Sequence, residues 1–226
     1  MRLLRRTLKL VILLALIGLA VVLYYVANPN LPTYQQPSEL HYLDQWSDEQ
    51  RQTYYYTPQG TTVKGLRYDW FSALEMPFGT EKFARVDYLA RFGFLTDPGQ
   101  RPSDLNPGNL PVGFTRHQDS ESGEHFLDIS CAACHTGELR YKGQAVRIDG
   151  GAALHSLAST VPTLRGGGFG QALGMSMAFT YYNPLKFRRF AREVLGEQYP
   201  QGRDDLRKDF KQVLDRLLAT AKNDWH

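Results

Sequence analysis

Three kinds of patterning divide the chain. From Leu10 to Val26 the residues form an uninterrupted apolar run of seventeen, at the short end of what crosses a hydrocarbon core. Tyr24 and Tyr25 close it where an aromatic belt sits. Arg2, Arg5, Arg6 and Lys9 precede it with no acidic residue among them, so the positive-inside rule keeps this end in the cytoplasm. Residues 1–27 are therefore expected to form one N-terminal transmembrane helix, a signal-anchor, with everything after them on the extracytoplasmic side. The competing reading is a cleaved signal peptide, but Val26-Ala27-Asn28-Pro29 is a poor cleavage site. Both readings export the chain.

At the other end, Leu206, Phe210, Val213, Leu214, Leu217 and Leu218 recur at helical spacing with charges opposite, which predicts an amphipathic helix packed on the core. An exposed stripe there would instead mark a docking face for a partner protein. Between the two ends the pattern is broken. Residues 28–46, rich in Pro, Asn and Gln, read as a linker. Ser47-Asp48-Glu49-Gln50 matches a capping box and starts a short helix that ends before Pro58. Tyr68 to Glu75, Glu81 to Phe92 and Ala153 to Thr160 suit further short helices. Thr96 to Gly123, with its Pro-Gly and Asn-Pro-Gly turns, reads as loop that packs on something or closes over a site. Gly166-Gly167-Gly168-Phe169-Gly170 reads as a flexible break and lacks the last glycine of a dinucleotide fingerprint. Strand alternation is scarce and no repeat is evident, so the class is mainly α with long irregular loops. A cofactor often fills space in such a fold. The aromatic residues, 13 Tyr and 12 Phe, suit either the lining of a flat apolar cofactor or an ordinary aromatic core.

The net charge of +3 changes little. Removing the four N-terminal basic residues leaves 22 basic against 23 acidic residues, with no electrostatic footprint for nucleic acid.

The chemistry concentrates at Cys131-Ala132-Ala133-Cys134-His135, which contains both cysteines of the chain. On one helical turn, positions i, i+3 and i+4 share a face. Two thiols can then add to the vinyl groups of one porphyrin edge while the histidine ligates iron, so Cys-x-x-Cys-His predicts covalent haem c with His135 as the proximal iron ligand. Asp128 or Ser130 can cap the turn and Gly137 can end it. Three rivals are weaker. A thiol–disulfide oxidoreductase needs a βαβ setting that the pattern lacks. A structural zinc site needs four ligands, and there is no second cysteine pair. A disulfide across two intervening residues is strained.

Axial ligation decides between electron transfer and oxygen chemistry. Met175, Met177 and His155, and also His117 and His125, are candidates for the sixth position, each balanced against an ordinary core or surface role. Arg147 can pair a haem propionate bidentately, or be a surface arginine paired with Asp149.

Several ordered segments carry a resemblance. They are Tyr55-Tyr56-Thr57-Pro58-Gln59-Gly60-Thr61, Tyr68-Asp69-Trp70-Phe71 with Leu74-Glu75, and Asp87-Tyr88-Leu89-Ala90-Arg91-Phe92-Gly93-Phe94. Downstream come Asn106-Pro107-Gly108-Asn109-Leu110-Pro111-Val112-Gly113-Phe114, Cys131 to Gly137, and Arg147-Ile148-Asp149-Gly150-Gly151. From about residue 50 onward the chain resembles exported c-type cytochromes related to rubber oxygenase and to dihaem cytochrome c peroxidases. The resemblance implies a cytochrome c-like domain over 47–226, with Cys131, Cys134 and His135 holding the first of two haems, and reaction with oxygen or peroxide. This sequence has no second Cys-x-x-Cys-His. The leading expectation is thus a membrane-anchored, one-haem electron-transfer protein with a redox partner protein. The alternative is the N-terminal half of a dihaem oxygenase or peroxidase. A haem-free thiol module ranks last.

Overall fold

A computed structural model describes residues 2–27, 35–43, 46–153 and 168–223. The expected helix at 153–160, His155, Gly166 and Gly167 lie outside or almost wholly outside these residues. Helix α1, Arg2–Ala27, contains a segment, Arg5–Tyr24, long and apolar enough to cross a membrane, with mean hydropathy 2.5 and no fully buried residue.

The folded part combines helices with two small sheets. Strand β1 is Glu39–Tyr42 and helix α2 is Asp48–Tyr56. Ser47 caps α2 as the sequence predicts: its hydroxyl accepts from Gln50 N, and the Gln50 side chain accepts from Ser47 N. Helices α3 (Tyr68–Ala73) and α4 (Val86–Ala90) are shorter than their apolar patterns suggest, because Leu74 and Arg91 end them. Strands β2 (Phe114–Gln118) and β3 (His125–Ile129) form an antiparallel hairpin, followed by the one-turn helix α5 (Cys131–His135). Strands β4 (Thr136–Tyr141) and β5 (Gln144–Asp149) form a second hairpin, and β1 joins β5 in parallel, giving the order β1-β5-β4. Helices α6 (Phe169–Tyr182), α7 (Pro184–Leu195) and α8 (Arg203–Asn223) complete the chain.

Three expectations need correction. Residues 39–42 of the expected linker are a strand, held by the β5 ladder and by Ser38 N donating to Gly143 O at 2.7 Å. The expected loop of 96–123 contains β2. The expected break at 166–170 ends in a helix: Gly168 is the N-cap of α6, and Phe169 and Gly170 lie inside it.

The core is aromatic and packs on itself. Phe71, Phe83, Phe92, Phe94, Phe114 and Phe169 meet mostly edge to face, with Phe94 and Phe114 centroids 4.6 Å apart. Trp70, Phe187, Phe190 and Phe210 form the adjoining cluster, closest between Phe190 and Phe210 at 4.8 Å. Such pairs add about 0.5–1.5 kcal/mol each beyond area burial. Leu206, Phe210, Val213 and Leu214 are buried in this core, so the C-terminal stripe is a packing face.

Glu75 pins the 73–82 segment to α7. It accepts two hydrogen bonds from Arg189, at 2.6 and 2.7 Å, and one from Lys186 at 3.1 Å. Lys186 Nζ also donates to Met76 O and Gly79 O, so this buried ammonium is fully satisfied.

Candidate haem-attachment site

Helix α5 is fixed from below by its two alanines. Ala132 and Ala133 are buried, whereas Cys131, Cys134 and His135 are all exposed on the opposite side. The i, i+3, i+4 spacing thus turns both thiols and the imidazole outward together, as the sequence pattern predicts. Ser130, not Asp128, caps the turn: its hydroxyl accepts from Ala132 N at 3.3 Å and donates to Tyr55 O at 2.8 Å. Two of the orphan carbonyls of the last turn are also met. Ala153 N donates to Cys134 O at 3.1 Å, and the Tyr54 hydroxyl donates to His135 O at 2.7 Å. Gly137 does not end the helix, because Thr136 passes directly into β4 in extended backbone. Gly137 instead permits a close approach: a Cβ there would lie 2.8 Å from Ala152 O.

Beneath α5 lies a second glycine that sequence reasoning missed. Gly113 has φ +90°, and a Cβ on it would sit 2.5 Å from Ala133 Cα. Its carbonyl accepts from Ser130 N at 2.8 Å. The strand β2 entrance and the Cys-x-x-Cys-His turn are therefore in direct backbone contact. The Gly-Phe pair at 113–114 was part of the matching segments, but nothing in its pattern revealed the contact.

Asp128 has a different task from capping. Wholly buried, it accepts from the backbone N–H of Gln59 (2.7 Å), Gly60 (2.6 Å) and Thr61 (2.9 Å), from the Thr61 hydroxyl, and from Ile129 N (2.7 Å). It ties the loop after α2 to the strand that delivers α5. Burial raises its pKa, but the Thr61 hydroxyl and the N–H groups outweigh burial and hold the carboxyl below its ordinary value of 3.8. A depressed folded-state pKa contributes stability that is present above the unfolded value and lost as pH falls through the folded one. Stability should therefore drop on acidification below about 3.8. Asp128→Asn, which keeps one acceptor oxygen, should flatten that limb. Denaturant midpoints measured at stepped pH check this, and an unchanged acid limb would contradict it.

Two buried ion pairs support the β4–β5 hairpin beside α5. Arg147, 1% exposed, donates to Glu138 from Nε (3.0 Å) and Nη2 (2.7 Å), and Nη2 also donates to Thr96 O at 2.8 Å. Arg140 reaches the other Glu138 oxygen at 2.6 Å. Arg51 Nε donates to Asp149 at 3.0 Å, and the Tyr55 hydroxyl donates to the second Asp149 oxygen at 2.7 Å. The expected surface pair of Arg147 with Asp149 is thus replaced by two crossed pairs. They arise because β5 turns Arg147 inward toward β4 while α2 brings Arg51 to Asp149. Of the Arg147 nitrogens, Nη1 alone has no hydrogen-bond partner.

The sixth-ligand candidates are separated. Met177 is fully buried in the aromatic core, and Met175 is half-buried on α6. His117 and His125 sit at the end of the β2–β3 hairpin away from α5, opposite Phe126 and Gln118. His155 lies outside the described residues. Although Cys134 is exposed, partial desolvation on the side that faces the protein, with Cys131 beside it, pushes its thiol up from the ordinary range. Among the described residues no three His, Cys, Asp or Glu side chains are grouped to hold a bare metal ion.

No family model matches the chain, and no solved structure matches it. It is 36% identical over 222 residues to the protein described as uncharacterized protein y4iJ of Sinorhizobium fredii. The match covers 88% of this chain and 34% of that protein, so the chain spans about a third of the length of this curated relative.

Proposed function

We propose that the chain is an exported, membrane-anchored c-type cytochrome unit that holds one covalent haem through Cys131, Cys134 and His135 and moves electrons to or from a redox partner protein. The observation that carries this reading is the common outward face of the two thiols and the imidazole on α5, set on a base of buried alanines. The donor set fits the group. Two thiols at this spacing match the two vinyl carbons of one porphyrin edge, and iron that takes four nitrogens from porphyrin needs no cluster of protein ligands. Once bound, a haem supplies a reversible one-electron iron couple.

The chain's own residues would fix the geometry. Ser130, Tyr54 and Ala153 hold the two ends of the α5 turn, and Gly113 sets its depth against β2. The extracytoplasmic side follows from the basic residues in the first turns of α1. The Arg147 role toward a propionate rests on Nη1 alone, since its other nitrogens serve Glu138 and Thr96.

A second reading is favoured by the length of the relative: the unit is one part of a longer, two-haem oxygenase or peroxidase, as the resemblance implies. The optical spectrum of the reduced protein with and without carbon monoxide, after expression with c-haem maturation factors, separates the two. An unchanged Soret band means a firmly held sixth ligand and electron transfer. A shifted band means an open distal face and oxygen or peroxide chemistry. No haem band, or an equal band in Cys131→Ala/Cys134→Ala, overturns both.

A further inference from the structure

A second surface, independent of α5, runs from the apolar N-terminal helix onto the folded part. Tyr24 of α1 lies against Phe78, with ring centroids 5.8 Å apart, and Phe78 lies against Phe179 of α6 at 5.1 Å. Met175, Phe179 and Tyr182 follow at helical spacing on one side of α6. Past them, the corner between α6 and α7 presents Tyr182 and Leu185 to solvent, 72% and 56% exposed. Burying a side chain of this size is worth about 1.5–3 kcal/mol, so leaving two together in water is unfavourable.

Within α6 and most of α7 the charges are one-sided, while α8 brings Lys211, paired with Asp215, beside Tyr181 and Tyr182. Residues 169–192 contain Lys186, Arg188, Arg189 and Arg192 and no Asp or Glu. Glu75 engages Lys186 and Arg189, and the Arg192 guanidinium lies over the Tyr199 ring, while Arg188 is exposed next to Leu185 on the first turns of α7.

We propose that the α6–α7 corner, through Tyr182, Leu185 and Arg188, rests in the headgroup region of the bilayer that α1 crosses. The proposal rests on the reading of α1 as membrane-spanning. A lipid surface fits better than a protein partner for three reasons. The apolar surface is continuous with the spanning helix through the Tyr24–Phe78–Phe179 contacts. A tyrosine and a leucine beside an arginine have interfacial composition, each with an apolar body and, for two of them, a polar tip. Residues 169–192 carry no carboxylate, and the nearby Asp215 is paired with Lys211, so repulsion from anionic headgroups is small. The consequence is that the folded part stands at a fixed orientation to the membrane instead of swinging on a tether.

The test uses the full chain in nanodiscs of phosphatidylethanolamine and phosphatidylglycerol that include a lipid with a diazirine beside its headgroup. After irradiation, mass spectrometry maps the crosslinked peptides. Crosslinks at residues 179–188 as well as on α1 are expected. In the double variant Tyr182→Ser/Leu185→Ser those at the corner should fall at least about tenfold, since losing even one buried Leu-sized side chain is worth that factor. Both side chains are already exposed, so this variant keeps the fold. The tip of the β4–β5 hairpin, where Tyr141 is 73% exposed, serves as the reference for random encounters. Crosslinks on α1 without the corner, or a corner no denser than the Tyr141 tip, overturn the proposal and leave α1 in the membrane. No crosslinks on α1 overturn the spanning reading, and the proposal with it.

Discussion

Arg51→Met is expected to lower the unfolding free energy by about 3–5 kcal/mol, the cost of removing one partner from a buried ion pair. Arg51 and Asp149 are each nearly inaccessible, with side chains 6% and 5% exposed. Without the guanidinium, the Asp149 carboxylate keeps only the Tyr55 hydroxyl as a donor among these contacts. Arg51 also donates to Trp46 O and Asp48 and lies 3.9 Å from the centroid of the Tyr42 ring, so its loss frees β1 and the start of α2 together. Against a typical total of about 5–15 kcal/mol, the effect is large. Denaturant unfolding of the full chain in detergent measures it. The double variant Arg51→Met/Asp149→Leu should recover part of the loss, because it removes the unpaired buried charge but leaves the Tyr55 hydroxyl without its acceptor. A single-variant cost under about 1 kcal/mol, the range of a solvated pair, would contradict the buried geometry.

Gly113→Ala should be nearly as damaging and more specific to the candidate site. Two penalties add. A side chain at φ +90° is strained by about 1 kcal/mol, and a Cβ placed 2.5 Å from Ala133 Cα forces β2 and α5 apart, at about 1–3 kcal/mol. Gly123→Ala isolates the first penalty, since Gly123 also has positive φ, +72°, but open space around it. The expected result is a thermal midpoint for Gly113→Ala clearly below that of Gly123→Ala. Covalent haem content, read as the pyridine haemochrome, should be reduced in Gly113→Ala and unchanged in Gly123→Ala. Equal midpoints for the two variants would mean that the close approach carries no weight.

Much of this protein is fixed by local patterns. The apolar run of α1, the Ser47 capping box and the amphipathic spacing of α8 are set by residues within a turn or two of one another, and each is found where the sequence places it. The same holds for the one face shared by Cys131, Cys134 and His135, because a single helical turn is enough to define it. The strands could not be read in this way. The inward positions of β5 are Ala145, Arg147 and Asp149, so its buried face is charged and no apolar alternation marks it. Those charges are tolerable inside only because Glu138 and Arg51 arrive from elsewhere in the chain. Arg51 is 98 residues from Asp149, a pairing that no local pattern announces. Gly113 is the same case in backbone form: its need for glycine comes from Ala133, which is distant in sequence and meets it only after β2 and β3 have paired. Local spacing is enough to say which residues share the outer face of α5 and which segment is apolar enough to cross a membrane. What supports that turn emerges only in the folded chain, because buried charge and close backbone contact are stable only when distant partners have been brought together.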